Sequence, residues 1–191
     1  MLCTSSASEV LRVAPSELGG EVLVIEASAR GVVRIDVERS ASGSRGTDAQ
    51  RSADRRGAAA VVARRAADEL VEYFAGQRQR FRTQVDFRAA GTTFQRRVWE
   101  GLLEIPFGEV VSYRDLARAV GAPRAVRAIG QAVGRNPVPI IVPCHRVVGS
   151  DGRLTGFGCG LPMKMLLLGV EGIVLGPRTT RPADRLVVAV G

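Results

Sequence analysis

A single histidine, His145, serves the whole of this 191-residue chain. Zinc centres are poorly supported, because one histidine and three cysteines at these spacings, two of the candidate ligands being adjacent, match no common site. A thiol protease is disfavoured for a related reason: such enzymes draw their histidine from far along the chain, and here there is none to draw. The cysteines Cys3, Cys144 and Cys159 are odd in number, so they form no disulfide framework, which fits a reducing compartment and leaves at least one free thiol. No apolar run approaches the roughly 20 residues of a membrane span. The N-terminal MLCTSSASEV lacks the basic and apolar regions of a secretory signal, so a cytoplasmic location is expected. Repeats are also missing.

Basic charge is abundant. Lys and Arg number 27 against 19 Asp and Glu, a net charge of +8, and nearly all of the positive charge is arginine. Such a chain attracts polyanions, although an arginine-rich surface would give the same balance, so position has to decide. The 46% hydrophobic content can fill a core of one ordinary domain or two small ones.

EVLVIEAS (21–28) and VVRIDVERS (32–40) alternate as two strands around the turn Ala29-Arg30-Gly31, with Val33, Ile35 and Val37 on one face. Residues 39–57 are almost free of apolar side chains and carry five arginines, which suits a solvated loop. From Ala58 to Ala75, Val62, Ala66, Leu70 and Phe74 recur as a helical stripe stopped by Gly76, and FRTQVDF (81–87) alternates again. Up to residue 88 the chain reads as a small α/β unit with a structural role.

Thr92 to Gln95 forms a T-x-x-Q capping box, opening a helix expected to bury Phe94, Val98, Trp99, Leu102 and Leu103. Ser112 to Asp115 opens a second helix, which Gly121 closes, and Ala122-Pro123 restarts a third; together they outline a helix-turn-helix. Steps of roughly 100° per residue place Arg124, Arg127, Gln131 and Arg135 on one face and Val126, Ile129 and Val133 opposite. An amphipathic surface helix would show the same stripe. The small flanking Ala and Gly residues, and the absence of acidic residues between Arg118 and Ile141, favour a nucleic-acid surface read by backbone and shape.

RNPVPIIVPCHRVVG (135–149) is punctuated by Pro137, Pro139 and Pro143, which exclude a helix and suit a rigid extended segment. A cysteine so embedded is often an inert core residue, but the chain's one histidine stands beside it. Extended neighbours point to opposite sides, so His145 is expected to reach Cys144 through a water rather than directly.

Residues 94–172, with GEVVSY, PRAVRAIG, NPVPI, PCHRVV and LTGF in order, closely resemble the C-terminal domain of the O6-alkylguanine-DNA alkyltransferases. The resemblance implies an α/β N-terminal domain, a small sheet plus helix (1–88), followed by a mainly α C-terminal domain with a winged-helix-like helix-turn-helix (89–175) and a tail (176–191). It implies that the protein binds double-stranded DNA containing O6-alkylguanine, extrudes the base, and moves the alkyl group irreversibly to Cys144, with O4-alkylthymine as a further substrate. His145 would deprotonate Cys144 through a water, oriented by Glu171; Asn136 would be the hinge, Tyr113 would protonate the leaving guanine, and Arg127 would fill the space left by the base. Arg124, Gln131, Arg135 and Tyr113 would contact DNA, while Pro139, Val142, Val147, Val148, Phe157 and Gly158 would line the substrate pocket. No cofactor, metal or membrane is implied, and the protein is expected to act once, as a monomer, because a thioether is not readily displaced.

Two departures stand out. Phe157 takes the place of a tyrosine and keeps the wall without the hydroxyl, and Cys159 stands where tryptophan or glycine is common and reads as an apolar filler. The N-terminal cysteine cluster of regulatory relatives is missing, so transcriptional control is not expected. An alkyltransferase-like lesion binder without transfer is the alternative, disfavoured by Cys144, and a plain helix-turn-helix regulator would not require PCHRVV.

Overall fold

The computed structural model describes residues 8–39 and 57–173, and these fall into two compact units divided between Ala89 and Ala90. The arginine-rich loop expected at 39–57 lies, apart from its two end residues, outside the described residues, as does the tail from 176.

The first unit is a three-stranded antiparallel meander of β1 (Glu9–Val13), β2 (Glu21–Ser28) and β3 (Gly31–Arg39), with α1 (Ala58–Phe74) packed across all three strands. The expected hairpin is β2–β3, turning through Ala29 and Arg30; β1 left no mark in the sequence reading. Burial on β3 differs from the expected alternation. Ile35 is buried, but Val33 and Val37 are only half-buried, while Val32 is fully buried. The ladder shifts register between Glu26 and Ala27, and the Gln84–Asp86 segment runs alongside Val32, exchanging backbone bonds with it at 2.9 and 2.8 Å. Gly31 is required there, since a Cβ would stand 2.7 Å from the Gln84 carbonyl oxygen.

α1 buries Ala66, Leu70 and Phe74 as expected, with Tyr73 and Ala63 beside them; Val62 is only half-buried. The strand expected at 81–87 is reduced to one isolated bridge, Val32 with Val85. Its donors go elsewhere: the buried Glu69 carboxylate of α1 accepts the N–H groups of Arg82 and Thr83 at 3.0 Å each.

In the second unit, α2 (Thr93–Leu103) starts from the complete Thr92–Gln95 capping box. It buries Val98, Trp99 and Leu102, but Phe94 is half-buried and Leu103 is 44% exposed, one helical step of about 100° from Leu102 toward solvent. The Trp99 indole N–H donates to the Ala132 carbonyl at 2.8 Å and ties α2 to α4 (Val126–Gly134). Helix α3 (Tyr113–Ala119) has its own capping box on Ser112 and Asp115, and Gly121 follows it at φ 73°. The third helix does not restart at Pro123. Pro123 instead sits second in a turn closed by Ala125 N–H on the Ala122 carbonyl at 2.9 Å, a position that proline favours, so α4 begins at Val126.

Beyond α4 the chain pairs back on the start of the helix-turn-helix: β4 (Val111–Ser112) and β5 (Val147–Val148) form a short parallel ladder. That pairing anchors the segment containing Cys144 next to the residues that introduce Tyr113. The unit ends with α5 (Leu161–Val170), in which Met163, Lys164, Leu167 and Leu168 are buried. Among the described residues no helix is long and apolar enough to cross a membrane.

Candidate functional site

The proline-rich segment is not extended throughout. Ile140 is the only non-glycine residue with positive φ among the described residues (75°), a conformation costly for a β-branched side chain. Val142 N–H then returns to the Val138 carbonyl at 2.9 Å, and Cys144–Arg146 make one 3-10 turn. The Asn136 side chain ties this segment together. Its Oδ1 accepts the Val138 N–H at 3.0 Å, and its Nδ2 donates to the Val142 carbonyl at 2.8 Å and to Cys144 Sγ at 3.1 Å.

Cys144 is 5% exposed and His145 fully buried. Burial pushes the Cys144 thiol up to about 12, against the pull of the Asn136 hydrogen bond, so the thiol is protonated at neutral pH. Burial likewise lowers His145, although Glu171 pulls the other way. His145 Nε2 meets Glu171 Oε1 at 2.8 Å, which assigns the ring proton to that nitrogen beside an ionised carboxylate, while Nδ1 is buried without a hydrogen-bond partner. Burial would by itself raise the Glu171 carboxyl, but hydrogen bonds from His145 and Arg146, and the positive charge they bring, hold it at about 2.

Two members of this cluster escaped the sequence reading. Arg146 donates to both oxygens of Glu171, with Nε 2.9 Å from Oε2 and Nη2 2.9 Å from Oε1, and through Nη1 to the Ile105 carbonyl. Lys164, the chain's only lysine, is fully buried. Its Nζ donates to the Val147 carbonyl at 2.6 Å and to the Thr155 carbonyl at 3.2 Å and lies 6.0 Å from the Phe157 ring; burial lowers it to about 8. Its rarity was the available signal, as it was for His145. Arg146 was hidden among many arginines, with its carboxylate 25 residues away.

A cavity of about 780 Å³ opens in the same unit. Tyr113 and Arg114 of α3, Arg127, Gly130 and Gln131 of α4, and the loop Thr155–Gly158 line it, and its wall contains no carboxylate. Phe157 and Gly158, expected in a substrate-pocket wall, line this cavity. Pro139, Val142, Val147 and Val148 are buried and do not line this cavity; Val148 packs in a core cluster with Val110 and Leu168. Cys144 is not among the lining residues either. Arg127 and Gln131 are exposed on α4, whereas Arg124 lies in the turn before the helix and Arg135 caps its end, both exposed and outside the cavity wall.

Residues 93–173 match the family model described as 6-O-methylguanine DNA methyltransferase, DNA binding domain. The chain is 50% identical over 119 residues to the methylated-DNA–protein-cysteine methyltransferase of Mycobacterium bovis, spanning 62% of this chain and 67% of that protein. This chain belongs to the methylated-DNA–protein-cysteine methyltransferase family. The crystal structure of Mycobacterium tuberculosis O6-methylguanine methyltransferase superimposes with a TM-score of 0.68 at 35% identity, covering 93% of this chain and 97% of that one. The mycobacterial protein in complex with DNA gives a TM-score of 0.65 at 36% identity, with 93% and 96% covered. For this methyltransferase-family chain the matched segment contains the whole cluster, from Asn136 through Glu171, and the cavity. The α/β first unit followed by a helical second unit is the architecture of those solved relatives.

Proposed function

We propose that this protein repairs alkylated DNA by direct reversal, transferring the alkyl group of O6-alkylguanine in duplex DNA to Cys144, once and irreversibly. The observation that carries the reading is a buried thiol held by Asn136, next to a histidine whose free ring nitrogen is an acceptor and whose other nitrogen is fixed by an ionised glutamate. That is the arrangement of an activated nucleophile and its base, at the position of the family's acceptor motif. The thiol's S–H bond breaks, the proton passes through a water to His145 Nδ1, the sulfur–carbon bond forms as the carbon–O6 bond breaks, and Tyr113 protonates the departing guanine. Tyr113 is reprotonated through water from the His145 imidazolium, so the net transfer is the thiol's proton to guanine. A free guanine edge and an S-alkylcysteine result. The thioether has no route back to a thiol, so one protein molecule removes one lesion.

The lesion atom is inaccessible inside a duplex, so the base has to leave the stack. The arginine-bearing cavity between α3, α4 and the 155–158 loop suits the extruded nucleotide, with Arg127 occupying the gap and Arg124, Gln131 and Arg135 along the phosphates. The chain's excess of arginine supports DNA as the partner. O4-alkylthymine offers the same exocyclic ether and is a second substrate. We take the first unit as structural, the second as the DNA-binding acceptor domain, and the protein as a cytoplasmic monomer, in keeping with its odd number of cysteines.

Mass spectrometry after mixing with excess duplex carrying one O6-methylguanine tests the reading. One methyl-for-hydrogen mass increase confined to the Cys144 peptide is expected, with none in Cys144→Ala. Tight binding to the lesion without a mass change would instead make the protein a damage sensor.

A further inference from the structure

Glu171 has more to do than face a histidine. Its Oε1 accepts from His145 Nε2 and Arg146 Nη2, and its Oε2 accepts from Arg146 Nε and, at 3.1 Å, from the Gly108 N–H. The guanidinium is itself fixed, by the Ile105 carbonyl and by Phe107, whose ring centroid lies 5.9 Å from its central carbon. Arg146 and Glu171 side chains are 8% and 0% exposed, so neither charge is screened by water.

A buried carboxylate next to an imidazole, with no other counter-charge, draws a proton onto the ring and keeps it there. Such a histidine is already an imidazolium and has no lone pair left for a thiol's proton. Four groups bear on His145 here: Glu171 favours the charged ring, burial and the cations Arg146 and Lys164 oppose it, and Cys144 stands as the neutral neighbour. Of the two cations, Arg146 is bonded to the same carboxylate oxygen as the histidine.

Resting on the alkyl-transfer reading above, we propose that Arg146 is a positioning residue for the proton-transfer step: by engaging both oxygens of Glu171 it keeps His145 neutral, with Nε2 tied and Nδ1 open to the Cys144 proton. The charge balance of the step follows. The buried pair Glu171–Arg146 is neutral before the step, and moving the proton from sulfur to Nδ1 creates thiolate and imidazolium together. The imidazolium then shares Glu171 with Arg146, which limits its stability and lets the proton pass on as guanine leaves. Overall the thiol's proton ends on the guanine and its sulfur holds the alkyl group.

Because His145 is the sole histidine, its imidazole resonances in the untagged, uniformly ¹⁵N-labelled full chain are unambiguous, and they titrate without any DNA. In Arg146→Met the ring is expected to take up its proton about one pH unit or more above the wild-type midpoint, and in Arg146→Lys, which keeps the charge but not the fork, by less. Single-turnover methyl transfer by Arg146→Met should be about tenfold below wild type one pH unit below the variant's own His145 midpoint, and recover as pH rises past it. A purely structural loss would lower the rate equally at every pH, and that result, or an unmoved His145 midpoint, overturns the proposal. If Arg146→Met does not fold, Arg146→Lys decides: a midpoint raised above wild type supports the proposal and an unchanged one overturns it. Wild-type protein that transfers no methyl group would refute the proposed function, while the titration would still decide what Arg146 does to His145.

Discussion

At the scale of single residues, the site is built to keep its nucleophile quiet. A thiol at about 12 is almost wholly protonated at neutral pH, so reactivity has to come from the neighbours that stabilise the thiolate as the proton leaves. Among the described residues Asn136 is the side chain hydrogen-bonded to Sγ, and it also fixes the backbone leading into the acceptor through Val138 and Val142. Asn136→Ala removes a hydrogen bond that strengthens as sulfur becomes negative; at about 1 to 2 kcal/mol, methyl transfer should slow by about tenfold or more in a single-turnover assay. Affinity for undamaged duplex should stay as it was. An unchanged transfer rate would mean that the amide only braces the loop. Cys144 and His145 were legible because a lone histidine beside a cysteine is a local fact of sequence, whereas Asn136 was named only through the family resemblance. Arg146 was not legible, since its role depends on a carboxylate and a carbonyl 25 and 41 positions away.

Secondary-structure elements divide along the same line. Both capping boxes were readable because the signal and the structure occupy the same four residues. The start of α4 was misread because Pro123 suits a turn as well as a first helical position, and only the Ala125–Ala122 bond decides between them. The 81–87 segment alternates like a strand, yet its donors go to a helix side chain; the β4–β5 ladder pairs residues 36 apart that no periodicity connects. The stripe on α4 survived in part, with Arg127 and Gln131 exposed and Ile129 and Val133 buried, while Val126, expected opposite the arginines, is half-buried and lines the same cavity as Arg127. Arg127→Ala should therefore weaken duplex binding, and it separates two ways of holding DNA. If the guanidinium sits on a phosphate, the logarithmic salt dependence of binding falls by about one unit; if it fills the space of an extruded base, the slope is nearly kept and lesion-specific binding is lost. Transfer from the free O6-alkylguanine base, which needs no extrusion, should persist in either case.

For the molecule as a whole, the cluster that makes the site reactive also makes the second unit sensitive to acid. The Glu171 carboxyl has an ordinary value of 4.5 and stands at about 2 in the folded protein. A depressed carboxyl favours the folded state above its unfolded value, and that contribution is lost as pH falls from about 4.5 toward about 2, where the unfolded chain binds the proton more tightly than the fold does. For a side chain with no exposure the shift corresponds to about 3 kcal/mol, a large part of the stability of an ordinary domain. The net positive charge grows over the same range as other carboxylates are protonated, and self-repulsion adds to the loss. Trp99, the only tryptophan, is buried in this unit at 2% exposure, so its fluorescence during urea unfolding reports on the fold that holds the site. The urea midpoint should fall steeply between pH 4.5 and 2 in the wild-type protein. Glu171→Gln should start lower at neutral pH, because a neutral amide leaves the Arg146 charge buried without its counter-ion, and should change much less over the acid range. If both proteins lost stability in parallel as the pH fell, the Glu171 charge would not be what holds this unit together in acid.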